Sequence, residues 1–140
     1  MNTRPHIFTL EEANQLLPEL DSRLALLAHK KEAYARRHDE LLMAELLSQA
    51  EKDNGVADQE QNIDDGFRAL ESALEDFERD LTLFHELGCV LRDIENGCID
   101  FPGKVDGKMV YFCWRRGEQT ISHYRSLQDE TLRRLPVNKL

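Results

Sequence analysis

Apolar residues recur at alternating intervals of three and four through the first part of the chain. The series runs Leu10, Ala13, Leu17, Leu20, Leu24, Leu27, Lys31, Tyr34, His38, Leu41, with Lys31 and His38 as its polar members. A seam of this kind belongs to a helix packed lengthwise on another helix. Continued to about residue 50, the helix would span roughly 60 Å at ~1.5 Å per residue. Thr9-Leu-Glu-Glu12 reads as its capping box, with Phe8 and Ala13 at the staple positions. Pro18 lies inside the pattern, where it removes one backbone donor and crowds the carbonyl of Asn14. The expectation there is a kink, or a short first helix joined to a longer second one.

Asp53-Asn54-Gly55 breaks the pattern, and the polar stretch from Lys52 to Asn62 reads as a turn region. The seam then resumes at Ile63, Phe67, Leu70, Leu74, Phe77, Leu81 and Phe84. Two long seams joined by a short polar link predict an antiparallel helical hairpin. Folding near residue 55 sets Lys31 and His38 roughly opposite Glu78 and Glu71, where polar seam residues would fix register. Neither helix carries the HxxxH or ExxH spacing of a carboxylate-bridged metal pair.

From Gly88 the period changes. Gly88 suits the position after a helix end, and Asn96-Gly97 and Asp106-Gly107 are hairpin signals. They divide the segment into strands at about 89–94, 98–102 and 109–115. A rival reading carries the second helix through Leu91 and Ile94 to Asn96-Gly97. On the three-strand reading, alternation puts Ile94, Ile99, Phe101, Val110, Phe112 and Trp114 on an apolar face. Leu91, Asp93, Cys98, Asp100, Tyr111, Cys113 and Arg115 fall on the other. A two-residue turn at Asp106-Gly107 sets Asp100 opposite Cys113, and one at Asn96-Gly97 sets Asp93 beside Cys98 or Asp100. A bulge would shift this parity.

Asp93, Asp100, Cys113, Arg115 and the nearby Glu118 form the candidate site. Neighbouring carboxylates repel, so they need a cation, an arginine or a shared proton, and Arg115 is the arginine at hand. The group is open to three readings: a structural ion-pair network, a ligand or divalent-metal site, or catalysis. No Ser/His/Asp arrangement, phosphate-cradling loop or zinc-type Cys/His spacing accompanies it. Beyond it, Ile121, Tyr124 and Leu127 repeat at helical spacing and suggest a short helix, and the tail from 127 is expected to lie over the domain or fray.

The chain of 140 residues suits one domain with a single modest core. It has no apolar run long enough for a bilayer and no signal-peptide core at its start, so a cytoplasmic protein is expected. Three cysteines without CxxC spacing argue against a disulfide framework. The net charge of −9 is uneven: residues 1–103 hold 10 basic against 23 acidic side chains, and residues 104–140 hold 8 against 4. An acidic body repels phosphate polymers, which excludes general nucleic-acid binding. The basic tail would contact an acidic partner or the chain's own acidic helices.

Phe8-Thr-Leu-Glu-Glu-Ala-Asn-Gln-Leu-Leu-Pro18, Gly97-Cys-Ile-Asp-Phe-Pro102 and Cys113-Trp-Arg-Arg-Gly-Glu118 resemble, in that order, the motifs of a bacterial family described only as domain of unknown function 2203. The resemblance implies one domain running nearly end to end and supplies no mechanism. Tyr124-Arg125 stands where the family pattern has a Trp-His pair, and Glu130-Thr131 where it has Gly-Phe. Any proton-transfer or metal role of that histidine is therefore lost here.

The expected fold is α+β: a long antiparallel helical hairpin (9–87), a small three-stranded antiparallel sheet (88–126) and a tail (127–140). The leading functional reading is a non-enzymatic interaction or scaffold module. It would be dimeric, because one partner helix and a small sheet cannot cover both seams. The alternative is a small-ligand or divalent-metal site, hydrolytic or not, at Asp93, Asp100, Cys113, Arg115 and Glu118. No cofactor is indicated.

Overall fold

The computed structural model describes residues 6–53, 60–128, 131 and 133–139. Among these residues two helices, α1 (Leu10–Asp53) and α2 (Glu60–Leu87), precede five strands: β1 (Val90–Asp93), β2 (Cys98–Val105), β3 (Lys108–Arg115), β4 (His123–Ser126) and β5 (Leu135–Pro136). The strands form one antiparallel sheet in the order β1-β2-β3-β4-β5. The fold is α+β, with two strands more than the three expected. The chain divides into two compact units, one comprising Leu27–Asp80 and the other the chain up to Leu26 together with the chain from Leu81 onward.

In the sheet-bearing unit, the start of α1 is tied to the sheet before the helix begins. The Phe8 amide donates to the Pro102 carbonyl at 2.7 Å, and the Phe8 ring meets Phe101 edge-on at 5.3 Å. The Thr9 hydroxyl accepts from the Glu12 amide at 3.1 Å, the first half of the expected capping box. Ala13, Leu17, Leu20 and Leu24 then follow the four-three spacing into a core shared with Phe84, Ile99, Phe101, Val110, Phe112, Trp114 and Ile121. Helix α1 continues through Pro18 as one helix instead of two. Pro18, the ninth residue of the helix, forfeits the bond to the Asn14 carbonyl, and the buried Leu17 and Leu20 anchor the turns on either side.

Asp106 and Gly107 both have positive φ, 52° and 78°, the geometry of a two-residue hairpin turn whose twist matches its strands. It sets the register Asp100↔Cys113 and Ile99↔Trp114, so the buried apolar residues of β2 and β3 share one face. Two expectations fail here. The segment around Ile121, Tyr124 and Leu127 is strand β4, with Phe112↔Tyr124 paired, so its helix-like spacing is coincidental over so short a stretch. Part of the tail is strand β5, hydrogen-bonded to β4.

In the other unit, Leu27 and Leu41 are buried. A Cβ at Gly66 would lie 3.0 Å from Leu41 Cδ1, so α1 and α2 approach closely there. Lys30 Nζ lies 3.0 Å from Asp76 Oδ1 and 2.9 Å from Asp80 Oδ2, and with Leu41 against Gly66 this makes the helices antiparallel. His38 is exposed and lies beside Asp39. The turn expected at Asp53-Asn54-Gly55 lies, from 54 to 59, outside the described residues.

Gly103 admits no side chain: a Cβ there would lie 2.4 Å from Phe112 Cε2 and 2.9 Å from the Phe8 carbonyl. Gly103→Ala is expected to lower stability by about 1–3 kcal/mol through overpacking, measured by urea denaturation. Hydrogen bonds to Asp80 and then Asp76 raise the Lys30 pKa above its ordinary 10.5. The stability this adds is complete below 10.5 and lost as pH rises through the folded-state value. Lys30→Met should therefore destabilise by about 1–3 kcal/mol at neutral pH, and its difference from wild type should shrink in urea melts above pH 10.5.

Candidate functional site

The polar face of the sheet is arranged around one buried carboxylate. Asp100 is 2 % exposed, on the second strand of five. A charge so placed must be paired. Arg92 Nε donates to Asp100 Oδ2 at 2.8 Å, and Arg125 Nη2 donates to the same oxygen. Arg115, the cation expected from the sequence, is not a partner of Asp100.

Local backbone geometry explains both contacts. Val90 pairs with Asp100 and Leu91 with Ile99, yet Asp93 pairs with Cys98, so β1 bulges at Arg92. The extra residue shifts the parity of β1 and re-aims a side chain. Leu91 thereby lies opposite Ile99, on the apolar face and not on the polar one expected for it. The Arg92 guanidinium is also steadied by the Tyr111 ring, with Cζ 5.0 Å from its centroid. On the other side, Cys113↔His123 and Tyr111↔Arg125 pair across β3 and β4. Cross-strand partners share a face, so Arg125 stands on the Asp100 face, diagonally across from it. Burial opposes the Arg125 charge, but Asp100 and then Cys113 outweigh it and hold the guanidinium pKa above its ordinary value.

Arg92, Asp93, Cys98, Asp100, Cys113, Trp114, Arg115, Arg125 and Arg134 line a cavity of about 230 Å³. Four of the five candidate residues (Asp93, Asp100, Cys113 and Arg115) thus meet at one place. Asp93 also staples the β1–β2 turn: its Oδ1 accepts from the amides of Glu95 and Asn96 at 2.9 and 3.0 Å, and its Oδ2 from the Asn96 side chain at 2.7 Å. Glu118 is not among the lining residues. Its carboxylate accepts from the Arg115 amide at 2.7 Å and from the Ser122 hydroxyl at 2.6 Å, and its carbonyl accepts from Trp114 Nε1 at 2.9 Å. Glu118 therefore braces the turn after β3.

Cys113 is buried, and its thiol donates to the Tyr111 carbonyl at 3.5 Å. Burial, then the charge of Asp100, pushes its pKa up to about 11. Among the described residues, no three His, Cys, Asp or Glu side chains group to hold a metal ion. The side chains of Arg115 and Arg134 make no hydrogen bond or ion pair among the described residues. The cavity thus holds four arginines against two aspartates, a formal balance of +2 in a chain of net charge −9. Arg92, Arg125 and Arg134 escaped the sequence reading. Arg92 depends on a bulge and Arg134 on the β4–β5 pairing, neither of which alternation reveals. Arg125 was legible only as the residue replacing a histidine.

No described helix is long and apolar enough to cross a membrane. No curated protein and no solved structure matches the chain. A family model described as an uncharacterised conserved protein, DUF2203, matches residues 6–137. With nearly its whole length and all three motifs inside that match, the chain belongs to the DUF2203 family.

Proposed function

We propose that this chain is a non-enzymatic binding module that takes a small anionic ligand on the polar face of its sheet. One observation carries the reading: Asp100 is occupied by Arg92 and Arg125, while Arg115 and Arg134 line the same cavity with no acidic partner of their own among the described residues. A carboxylate already neutralised by two guanidiniums is a poor metal ligand and a poor general base. Its role is to hold two arginine planes in place, each with further N–H donors to offer. The thiol of Cys113 is held in its protonated form, which disfavours nucleophilic chemistry.

A second reading, the scaffold that self-associates, draws support from the unit formed by Leu27–Asp80. Leu42, Met43, Leu46 and Leu47 of α1 are 48–65 % exposed, and Phe67 of α2 is 51 % exposed. Side chains of that size in a neighbouring group suit a second copy of the hairpin. Light scattering of the full chain at micromolar concentration tests it, and a monomer would sink it.

The anion reading makes three predictions of its own. Asp100→Asn takes the charged acceptor from two part-exposed arginines and buries an amide in its place, and should destabilise the protein by about 1–3 kcal/mol in thermal or urea melts. Titration of inorganic phosphate into labelled protein should move the side-chain Nε–H resonances of the four pocket arginines, while magnesium or zinc leaves them in place. A response to cations alone would overturn the proposal. Mass-spectrometric mapping of iodoacetamide labelling should find Cys113 about a hundredfold slower than an ordinary exposed thiol at pH 8.

A further inference from the structure

We infer that the ligand of the arginine cavity is a compact dianion of the phosphate-monoester class, an inference that rests on the anion-binding reading above. Charge sets the first limit. The lining groups sum to +2, so a dianion neutralises the cavity, whereas a monoanion leaves one positive charge in a confined space.

Size and arrangement set the second. The cavity, about 230 Å³, is below the roughly 300–1,000 Å³ of pockets for drug-sized ligands. Its four arginines come from four separate segments: the β1 bulge, β3, β4 and the residue before β5. They line a single cavity, so the matching charge is one compact group and not two acids separated by a spacer. Guanidinium forks suit such a group because their parallel N–H donors fit the oxygens of a tetrahedral anion in pairs. Arg92 and Arg125 each commit one donor to Asp100 Oδ2, which orients the remaining donors before any ligand arrives. Arg115 and Arg134 are exposed and make no competing bond among the described residues, so they supply the closing contacts.

The same charges exclude a phosphate polymer. A phosphodiester carries one negative charge per phosphate, and a chain of net charge −9 repels a polyanion over long range. A small monoester carries a charge of about −1.5 to −2 at neutral pH, with its second pKa near 6.

Isothermal titration of the full chain at constant ionic strength tests the inference, with inorganic phosphate, glycerol 3-phosphate, sulfate, dimethyl phosphate, acetate and succinate as probes. Phosphate, glycerol 3-phosphate and sulfate should bind at least tenfold more tightly at pH 8 than dimethyl phosphate or acetate. Glycerol 3-phosphate should weaken about tenfold between pH 8 and pH 5 as it loses its second charge, while sulfate, which stays a dianion, holds its affinity. Arg115→Ala and Arg134→Ala should each cost tenfold or more in phosphate affinity with an unchanged melting temperature. If dimethyl phosphate binds as tightly as phosphate, or succinate more tightly, the dianion inference falls while the anion site stands. If none of the six binds at millimolar concentration, the anion-binding reading itself falls.

Discussion

The structure depends on a single buried carboxylate. Asp100 lies within the sheet, shielded from water, where an unpaired charge would cost several kcal/mol. The pairing that relieves it does not come from its sequence neighbours. It comes from a bulge in β1 and a diagonal approach from β4. Strand β1 beside it and strand β4 beyond β3 must both be in register before Asp100 is paired, so the two contacts act as a check on assembly as well as a source of stability. Buried ion pairs are weak evidence for net stability, but losing one partner is costly. That asymmetry penalises any arrangement in which β1 or β4 is shifted.

Two faces of one sheet follow from this. On one, Ile99, Phe101, Val110, Phe112 and Trp114 join the apolar core with Leu17, Leu20 and Leu24. On the other, the alternate residues of the same strands carry Asp100, Cys113 and Arg115. The core face fixes the backbone on which the arginines are mounted. Glu118 serves the same end from the strand terminus, holding the Arg115 amide and the Ser122 hydroxyl with its two oxygens.

Long-period features of this fold were legible in the sequence. The four-three spacing of Leu17, Leu20, Leu24 and Leu27 marks the buried stripe of α1, and Asp106-Gly107 marks a hairpin whose register sets Asp100 opposite Cys113. What was not legible depends on one-residue events. The β1 bulge inverts the parity of Leu91 and turns Arg92 towards Asp100. Strand β4 is four residues long, too short for its alternation to outweigh the helix-like spacing of Ile121, Tyr124 and Leu127. With β4 misread, Arg125 could not be placed beside Asp100, and the carboxylate was matched to Arg115 as the nearest arginine on its face.

The identity of residue 125 bears directly on the anion-binding reading proposed above. The family resemblance sets a histidine at that position, and this chain has Arg125. An imidazole beside a buried carboxylate gains and loses a proton near neutral pH. A guanidinium does not, and Asp100 and Cys113 hold its pKa higher still. The replacement thus exchanges a group able to move protons for a permanent charge, in a wall where the adjacent thiol is already held protonated. It removes the one side chain at that position suited to proton transfer and adds a fixed cation with a planar donor fork. A permanent cation with a planar donor fork at this position is in keeping with the anion-binding reading proposed above.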